Sequence, residues 1–231
     1  MSQVVEALFV SDLHLGSKQS NVDKIISLLD DYTPKHLFLV GDIIHGWILN
    51  LKWNPKHSIV LNRIDYLSKN GTKVIWIPGN HDNFMRDFKS LGNIEIHNEY
   101  VWNETLITHG DLYDGIVWLK RITPRFRMIK FHEELNKRAI KLGCKSIICG
   151  HIHRSEDKVI DGIRYINTGD WVYNNSYVTF NDGKYVLHRP KIKKVPYYFD
   201  YSKFNYKFGC KQEQNEQIQL RYCKKVGQRK E

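Results

Sequence analysis

The sequence contains no run of about 18 apolar residues, the length a helix needs to cross the hydrocarbon core of a bilayer, so no membrane-spanning helix is expected. The start, Met1-Ser2-Gln3-Val4-Val5-Glu6, lacks the charged-then-apolar layout of a secretory signal. Both absences point to a soluble, cytoplasmic protein. Cysteine is scarce: Cys144, Cys149, Cys210 and Cys223 are the four present, and no two are spaced C-x-x-C. That spacing argues against a structural zinc site and for free thiols in a reducing compartment. Internal repeats are lacking throughout, and residues 1–189 contain no low-complexity tract.

Negative charge is also in short supply. Lys and Arg number 35 against 25 Asp and Glu, a net charge of +10 over 231 residues. The excess is uneven, being +3 over residues 1–189 (24 against 21) and +7 over residues 190–231 (11 against 4). A second basic concentration lies at 116–145, where Lys120, Arg121, Arg125, Arg127, Lys130, Lys137, Arg138, Lys141 and Lys145 meet only Glu133 and Glu134. Such clusters suit an anionic partner.

The length fits one domain with a full core. In its first half, β-type apolar runs alternate with amphipathic segments, the pattern of strands joined by crossover helices. The pattern predicts a strand at Val4–Val10, a helix at Asn21–Asp31 capped by Asn21, a strand at Leu37–Val40, a helix at Ile59–Ser68 and a strand at Lys73–Ile77. Short strands follow at Ile94–His97, Thr105–Thr108, Ser146–Cys149, Lys158–Ile160, Arg164–Ile166, Tyr177–Phe180 and Tyr185–His188, with hairpin turns at Asp161-Gly162 and Asn181-Asp182-Gly183. The basic block reads as helical between Ile116 and Leu142 with a break near Thr123-Pro124, forming a short cap at about 116–145. Composition shifts near residue 190, which divides the chain into a catalytic domain, 1–189, and a basic, aromatic-rich tail, 190–231, whose end is expected to be disordered.

The chemistry-bearing residues gather where strands run out. Asp12 and His14 follow the first strand, Asp42 the second and Asn80 the third; His109 follows Thr105–Thr108, and His151 and His153 follow Ser146–Cys149. Strand termini are where α/β sheets present reactive groups. Residues two apart on an extended segment share a side, so Asp12 and His14 can reach one ion, and the two oxygens of Asp42 can bridge a pair. Asp12-Leu13-His14 or Gly41-Asp42 alone is an ordinary strand-end sequence; the joint order of all these motifs is what points to a site. Imidazole, carboxylate and amide donors together suit manganese, iron or zinc better than an all-oxygen calcium or magnesium cage. Two such ions can activate water and neutralise a phosphoryl group in flight.

The succession Asp12-x-His14, Gly41-Asp42, Gly79-Asn80-His81-Asp82, His109 and Gly150-His151-x-His153 resembles the calcineurin-like metallophosphoesterases over residues 7–180. Within them the chain is similar to the bacterial UDP-2,3-diacylglucosamine pyrophosphatase-like group, through Ser11-Asp12-Leu13-His14-Leu15-Gly16, Gly46-Trp47, His109-Gly110-Asp111, Asp114-Gly115 and Asn167-Thr168-Gly169-Asp170-Trp171. The resemblance implies a four-layer α/β/β/α sandwich. It also implies two metal ions, one on Asp12, His14, Asp42 and His153 and the other on Asp42, Asn80, His109 and His151. His81 would stabilise the transition state or protonate the leaving oxygen, with Asp82 orienting it. His45 departs from the pattern, standing where an acidic residue is expected.

The expected reaction is hydrolysis of a phosphate monoester, diester or pyrophosphate bond in a nucleotide or sugar nucleotide, with Arg125 and Arg127 as phosphate clamps and manganese as the first choice of metal. Three alternatives stay open. A nuclease would use the basic tail with Tyr197, Tyr198, Phe199, Tyr201, Phe204, Tyr206 and Phe208 to hold nucleic acid; the others are an acylated lipid-precursor hydrolase and a non-catalytic scaffold. The sequence does not fix an oligomeric state.

Overall fold

The structure, a computed structural model, describes residues 2–46, 52–115 and 124–189; the side chains of Pro124 and Arg125 also lie outside the described set. The tail at 190–231 and part of the basic block, 116–123, are therefore outside the described residues. Within them the order of elements is β1 (Gln3–Val10), α1 (Val22–Asp31), β2 (Tyr32–Val40), α2 (Pro55–Lys69), β3 (Lys73–Ile77), β4 (Ser90–Leu91), β5 (Ile94–Ile96), β6 (Glu99–Trp102), β7 (Thr105–Thr108), α3 (Pro124–Lys141), β8 (Ser146–Cys149), β9 (Glu156–Ile160), β10 (Ile163–Asn167), β11 (Tyr177–Asn181) and β12 (Lys184–His188). No helix among the described residues is long and apolar enough to cross a membrane.

Two sheets result. The seven-stranded sheet runs β12-β11-β1-β2-β3-β5-β4, and its centre, β1-β2-β3-β5, is parallel. The five-stranded sheet runs β6-β7-β8-β10-β9, with a parallel centre at β7-β8-β10 and antiparallel edges. Side-chain alternation along the strands assigns each residue to one of three apolar layers. Leu37 and Leu39 of β2, with Val74 and Trp76 of β3, pack against Ile25, Leu28 and Leu29 of α1 and Val60, Ile64 and Leu67 of α2. Phe38, Val40, Ile75 and Ile77 turn the other way and meet Ile107, Ile148 and Ile166 between the sheets. Leu106, Ile147, Cys149 and Tyr165 point outward again, beneath Phe131, Leu135 and Ala139 of α3. This is the four-layer α/β/β/α sandwich, with the basic helix α3 as its fourth layer.

Several elements differ from expectation for local reasons. Helix α2 starts four residues early because Asn54-Pro55 opens it: the Asn54 side chain accepts from Lys56 N–H (2.9 Å), and Asn54 N–H donates to His57 Nδ1 (3.1 Å). Asn21 occupies the N-cap of α1, but its side chain makes no capping bond; its backbone N–H donates to the Trp171 carbonyl instead (2.9 Å). Strand β2 begins at Tyr32, through Pro34. The hairpin between β6 and β7 has no signal in the sequence because its turn, Asn103-Glu104, contains no glycine, although both residues take the left-handed conformation (φ 49° and 53°). The turns at Asp161-Gly162 and Asp182-Gly183 are two-residue hairpin loops as expected.

Candidate metal centre

Beyond Val10 and Val40 the parallel pairing of β1 and β2 continues through the two loops. Asp12 N–H donates to the Gly41 carbonyl, His14 N–H to that of Asp42 and Leu15 N–H to that of Ile43, all at 2.9 Å; His45 N–H then donates to Leu15 (2.8 Å). Asp12 and His14 are thereby registered against Asp42. Asp12, His14, Asp42, His151 and His153 all have φ between 48° and 69°, a left-handed conformation that costs non-glycine residues energy. Five such residues at one place mark a site whose surroundings enforce their geometry. Close approach is enforced as well. A Cβ on Gly41 (φ 80°) would fall 2.2 Å from His109 Nδ1, and one on Gly79 would fall 2.3 Å from Asp42 Oδ1 and 2.6 Å from His109 Nε2.

The ring nitrogens show what the cradle is built to hold. His109 Nδ1–H donates to the Val40 carbonyl (2.9 Å), which leaves Nε2 without a proton in the neutral ring; Nε2 is buried, makes no hydrogen bond among the described residues and lies 3.3 Å from Asp42 Oδ2. His151 Nε2 is 2.9 Å from Asp114 Oδ2, so Nδ1 is bare, and it faces the Asn80 Oδ1 lone pair at 3.1 Å. His14 Nε2 and His153 Nε2 converge at 3.1 Å, with Asp12 Oδ1 3.8 Å and 3.0 Å from them. Lone pairs that face one another are satisfied by a cation. Asp12, His14 and His153 form one group able to ligate an ion, Asp12, Asp42 and His109 form a second, and His14, His45 and His81 form a third. These donors form a divalent-metal site, and their nitrogen and oxygen mixture suits a transition metal or zinc.

Charge supports this. Burial would raise the Asp42 carboxyl, but His109, His81 and His14 around it hold it well below the usual range. Burial alone would lower His153; Asp12 beside it raises it to about 9. His109 is likewise driven well above its ordinary value by Asp42, against the effect of burial. Without a cation, protons on these rings balance the carboxylates. His14, by contrast, is pushed down to about 3 by burial despite Asp42, and burial also lowers His81.

His81 sits beside Asp42 and is partly exposed. Its side chain is 14% exposed against 1% for His109, its Nε2 lies 3.9 Å from Asp42 Oδ2, and its backbone N–H donates to Asp42 Oδ1 (2.7 Å). Asp82 was expected to orient this ring. The five hydrogen bonds that Asp82 accepts come from elsewhere: the backbone N–H of Asp42 (3.2 Å), Ile43 (2.8 Å), Ile44 (3.4 Å) and Gly79 (2.6 Å), and Trp76 Nε1 (3.2 Å). Asp82 therefore ties the Asp42 loop to the Asn80 loop. Burial and the neighbouring Asp42 raise its carboxyl to about 6.

Arg127 was expected to clamp phosphate. Its Nε donates to Asp114 Oδ1 (2.8 Å) and its Nη2 to Asp114 Oδ2, which in turn faces His151, so Arg127 heads a relay into the metal cluster. Arg125 lies outside the described residues as regards its side chain. The sequence places Asp114 in a motif five residues after His109 but does not show its task. The Ser11 hydroxyl joins Asp12 Oδ2 (2.5 Å) to Thr168 (2.5 Å) and the Gly169 carbonyl (3.1 Å). The Asn167–Trp171 motif thus braces the Asp12 loop from behind.

Comparison with known proteins agrees with this geometry. The calcineurin-like phosphoesterase superfamily domain matches residues 5–187. The UDP-2,3-diacylglucosamine hydrolase of Aliivibrio fischeri is 24% identical, over 80% of this chain and 99% of that protein. The enzyme of the same name from Aeromonas salmonicida is 25% identical, over 83% of this chain and 96% of its own. Among solved structures, a novel archaeal phosphodiesterase superposes with a TM-score of 0.50 at 18% identity, covering 80% of this chain and 99% of its own. The chain belongs to the calcineurin-like phosphoesterase superfamily and is a metal-binding hydrolase of phosphate ester or phosphoanhydride bonds.

Proposed function

We propose that the chain is a dinuclear hydrolase of a nucleotide or sugar nucleotide, carrying manganese, with iron or zinc as the alternatives. The observation that supports this most is that two three-residue groups, Asp12, His14 and His153 and Asp12, Asp42 and His109, overlap and so place donors for two neighbouring ions side by side, with His81 Nε2 3.9 Å from Asp42 Oδ2. Asp12, His14, Asp42 and His153 would hold one ion, and Asp42, Asn80, His109 and His151 the other. When bound, such ions supply positive charge to phosphoryl oxygens and acidify water. The chain's own groups do the rest. Asp42 keeps two loops together through its Oδ1 contact with His81 N–H, and the His81 ring donates a proton to the departing oxygen. His151 is held with Nε2–H on Asp114 so that Nδ1 stays available.

The sugar-nucleotide choice is supported by the names of the relatives, which act on a UDP-sugar. Their acyl chains do not transfer automatically. The alignment to the Aliivibrio protein spans 241 positions while using 80% of a 231-residue chain, so that protein has residues this one lacks. A cytoplasmic setting accords with Cys144 and Cys149 being free and buried.

The test is a Mn²⁺-supplemented panel of bis(p-nitrophenyl) phosphate, UDP-N-acetylglucosamine, its diacylated analogue, nucleoside di- and triphosphates and single-stranded DNA. UMP release from a UDP-sugar at a kcat/KM well above that for the generic diester is expected. Faster degradation of DNA than of any nucleotide would overturn the substrate assignment.

A further inference from the structure

His45 lies beside the metal ligands, yet no part of the mechanism above uses it. Its backbone is fixed by its N–H bond to the Leu15 carbonyl (2.8 Å) and by the parallel bridge between Leu15 and Ile44. From that position its Nδ1 lies 3.2 Å from Nδ1 of His14, and its ring stacks on His81 with centroids 4.7 Å apart and planes within 19°. The segment is held close against the His81 loop, since a Cβ on Gly46 would fall 2.0 Å from the His81 carbonyl oxygen. His14 meets His81 edge-on at 4.9 Å, so the three imidazoles touch one another, and a ring nitrogen of each lies within 4.8 Å of the others.

If His14 ligates through Nε2, which faces Asp12 and His153, its proton belongs on Nδ1. That proton needs an acceptor, and the atom it meets is Nδ1 of His45, which can accept only when the His45 proton is on Nε2. We propose that His45 is a positioning residue with two separable tasks: its Nδ1 accepts the His14 Nδ1–H and so fixes the ligating tautomer, and its ring face holds His81 in place for the leaving oxygen. Groups that hydrogen-bond to a ligating imidazole from outside set its orientation and basicity. The inference rests on the metal-site reading above and assigns to a neutral ring the place where the family pattern carries an acid. The acid could perform the first task. It could not perform the second, because a carboxylate offers no ring to stack against His81.

Two substitutions separate the tasks. His45→Phe keeps a ring and removes the acceptor; His45→Asp keeps an acceptor and removes the ring. Metal-stripped wild type and both variants are titrated with Mn²⁺ by calorimetry, and hydrolysis is then followed at saturating Mn²⁺ on a p-nitrophenyl diester and on an alkyl-leaving-group diester. His45→Phe is expected to weaken one Mn²⁺ site by about 10–100-fold. His45→Asp is expected to hold Mn²⁺ as wild type does but to lose kcat selectively on the alkyl substrate, which needs its leaving oxygen protonated. Circular dichroism confirms folding, and His45→Asn, a neutral acceptor without the imidazole ring, serves as a second ringless variant that should behave as His45→Asp does. If wild type binds Mn²⁺ and His45→Phe binds it equally well, the tautomer role is overturned. Equal kcat losses on both substrates in His45→Asp and His45→Asn would overturn the stacking role. Failure of wild type to bind Mn²⁺ would instead overturn the metal-site reading itself.

Discussion

Asp82 shows how a residue can be visible in a sequence while its task is not. Gly79-Asn80-His81-Asp82 identifies the site, but sequence adjacency suggests that the aspartate serves His81, whereas its carboxylate ties together the loops carrying Asp42 and Asn80. Asp82→Asn leaves one oxygen for donors that now use two, and the amide nitrogen confronts an N–H group. A loss of about 2–4 kcal/mol in urea unfolding, with weaker Mn²⁺ binding, is expected. A kcat defect with unchanged stability would restore the orienting role. His81→Ala should do the reverse, losing about 10²–10⁴-fold in kcat while keeping its metal content, measured by plasma emission. The metal-ligand candidates were legible because ligating chemistry demands particular residue types at strand ends. The tasks of Asp114 and His45 are not legible in the same way, because a group that acts on a ligand from outside can be any acceptor, and nothing in spacing alone shows which one reaches.

Among elements, the C-terminal ends of the strands bearing the site follow from the sequence, because buried parallel strands are continuous apolar runs, whereas β2 begins at Tyr32, five residues before its apolar run at Leu37. Leu106 and Ile107 facing opposite layers from adjacent positions illustrates why two sheets rather than one were needed to bury them. Edges are harder: β4 has two residues, Ser90 and Leu91, both exposed and too few to show an alternation. Apolar periodicity shows α2 only from Ile59, because its Asn54-Pro55 start lies before that periodicity begins; Asn54→Ala should cost about 1 kcal/mol in denaturant unfolding. Helix α3 shows the limits of charge patterns. Its basic side chains suggested phosphate capture, but Arg127 is directed at Asp114, and Arg138 at Glu99 (2.7 Å). Burial works against the Asp114 carboxylate, yet Arg127 and His151 hold it below its ordinary value. Its contribution is therefore complete above the usual carboxylate range and is lost only as pH falls through the lowered value. Arg127→Leu should weaken Mn²⁺ binding by about tenfold, whereas a phosphate clamp would show a raised KM with metal affinity unchanged.

At the scale of the whole molecule, the sandwich brings the ends of β1, β2, β3, β7 and β8 from two sheets to one place, and the concentrated histidines and carboxylates there need a counter-ion. In the metal-free protein that need is met by protons. His153 stays protonated up to about 9 and His109 beyond its ordinary range, so the stability these pairs contribute is present at and below pH 6.5 and fades as pH rises through about 9. Mn²⁺ must displace those protons, and its apparent affinity should climb across the same window, with proton release seen as a buffer-dependent binding enthalpy. An affinity independent of pH from 6.5 to 9 would show that these rings are not the ligands. The most direct test of the two-ion account is the Mn²⁺ stoichiometry of chelator-stripped wild type and Asp42→Asn, measured together with hydrolysis of bis(p-nitrophenyl) phosphate. The account predicts two ions per wild-type chain with no turnover before loading, and fewer than two ions with activity abolished in Asp42→Asn. Full turnover without metal, or wild-type stoichiometry and rate in Asp42→Asn, would contradict it.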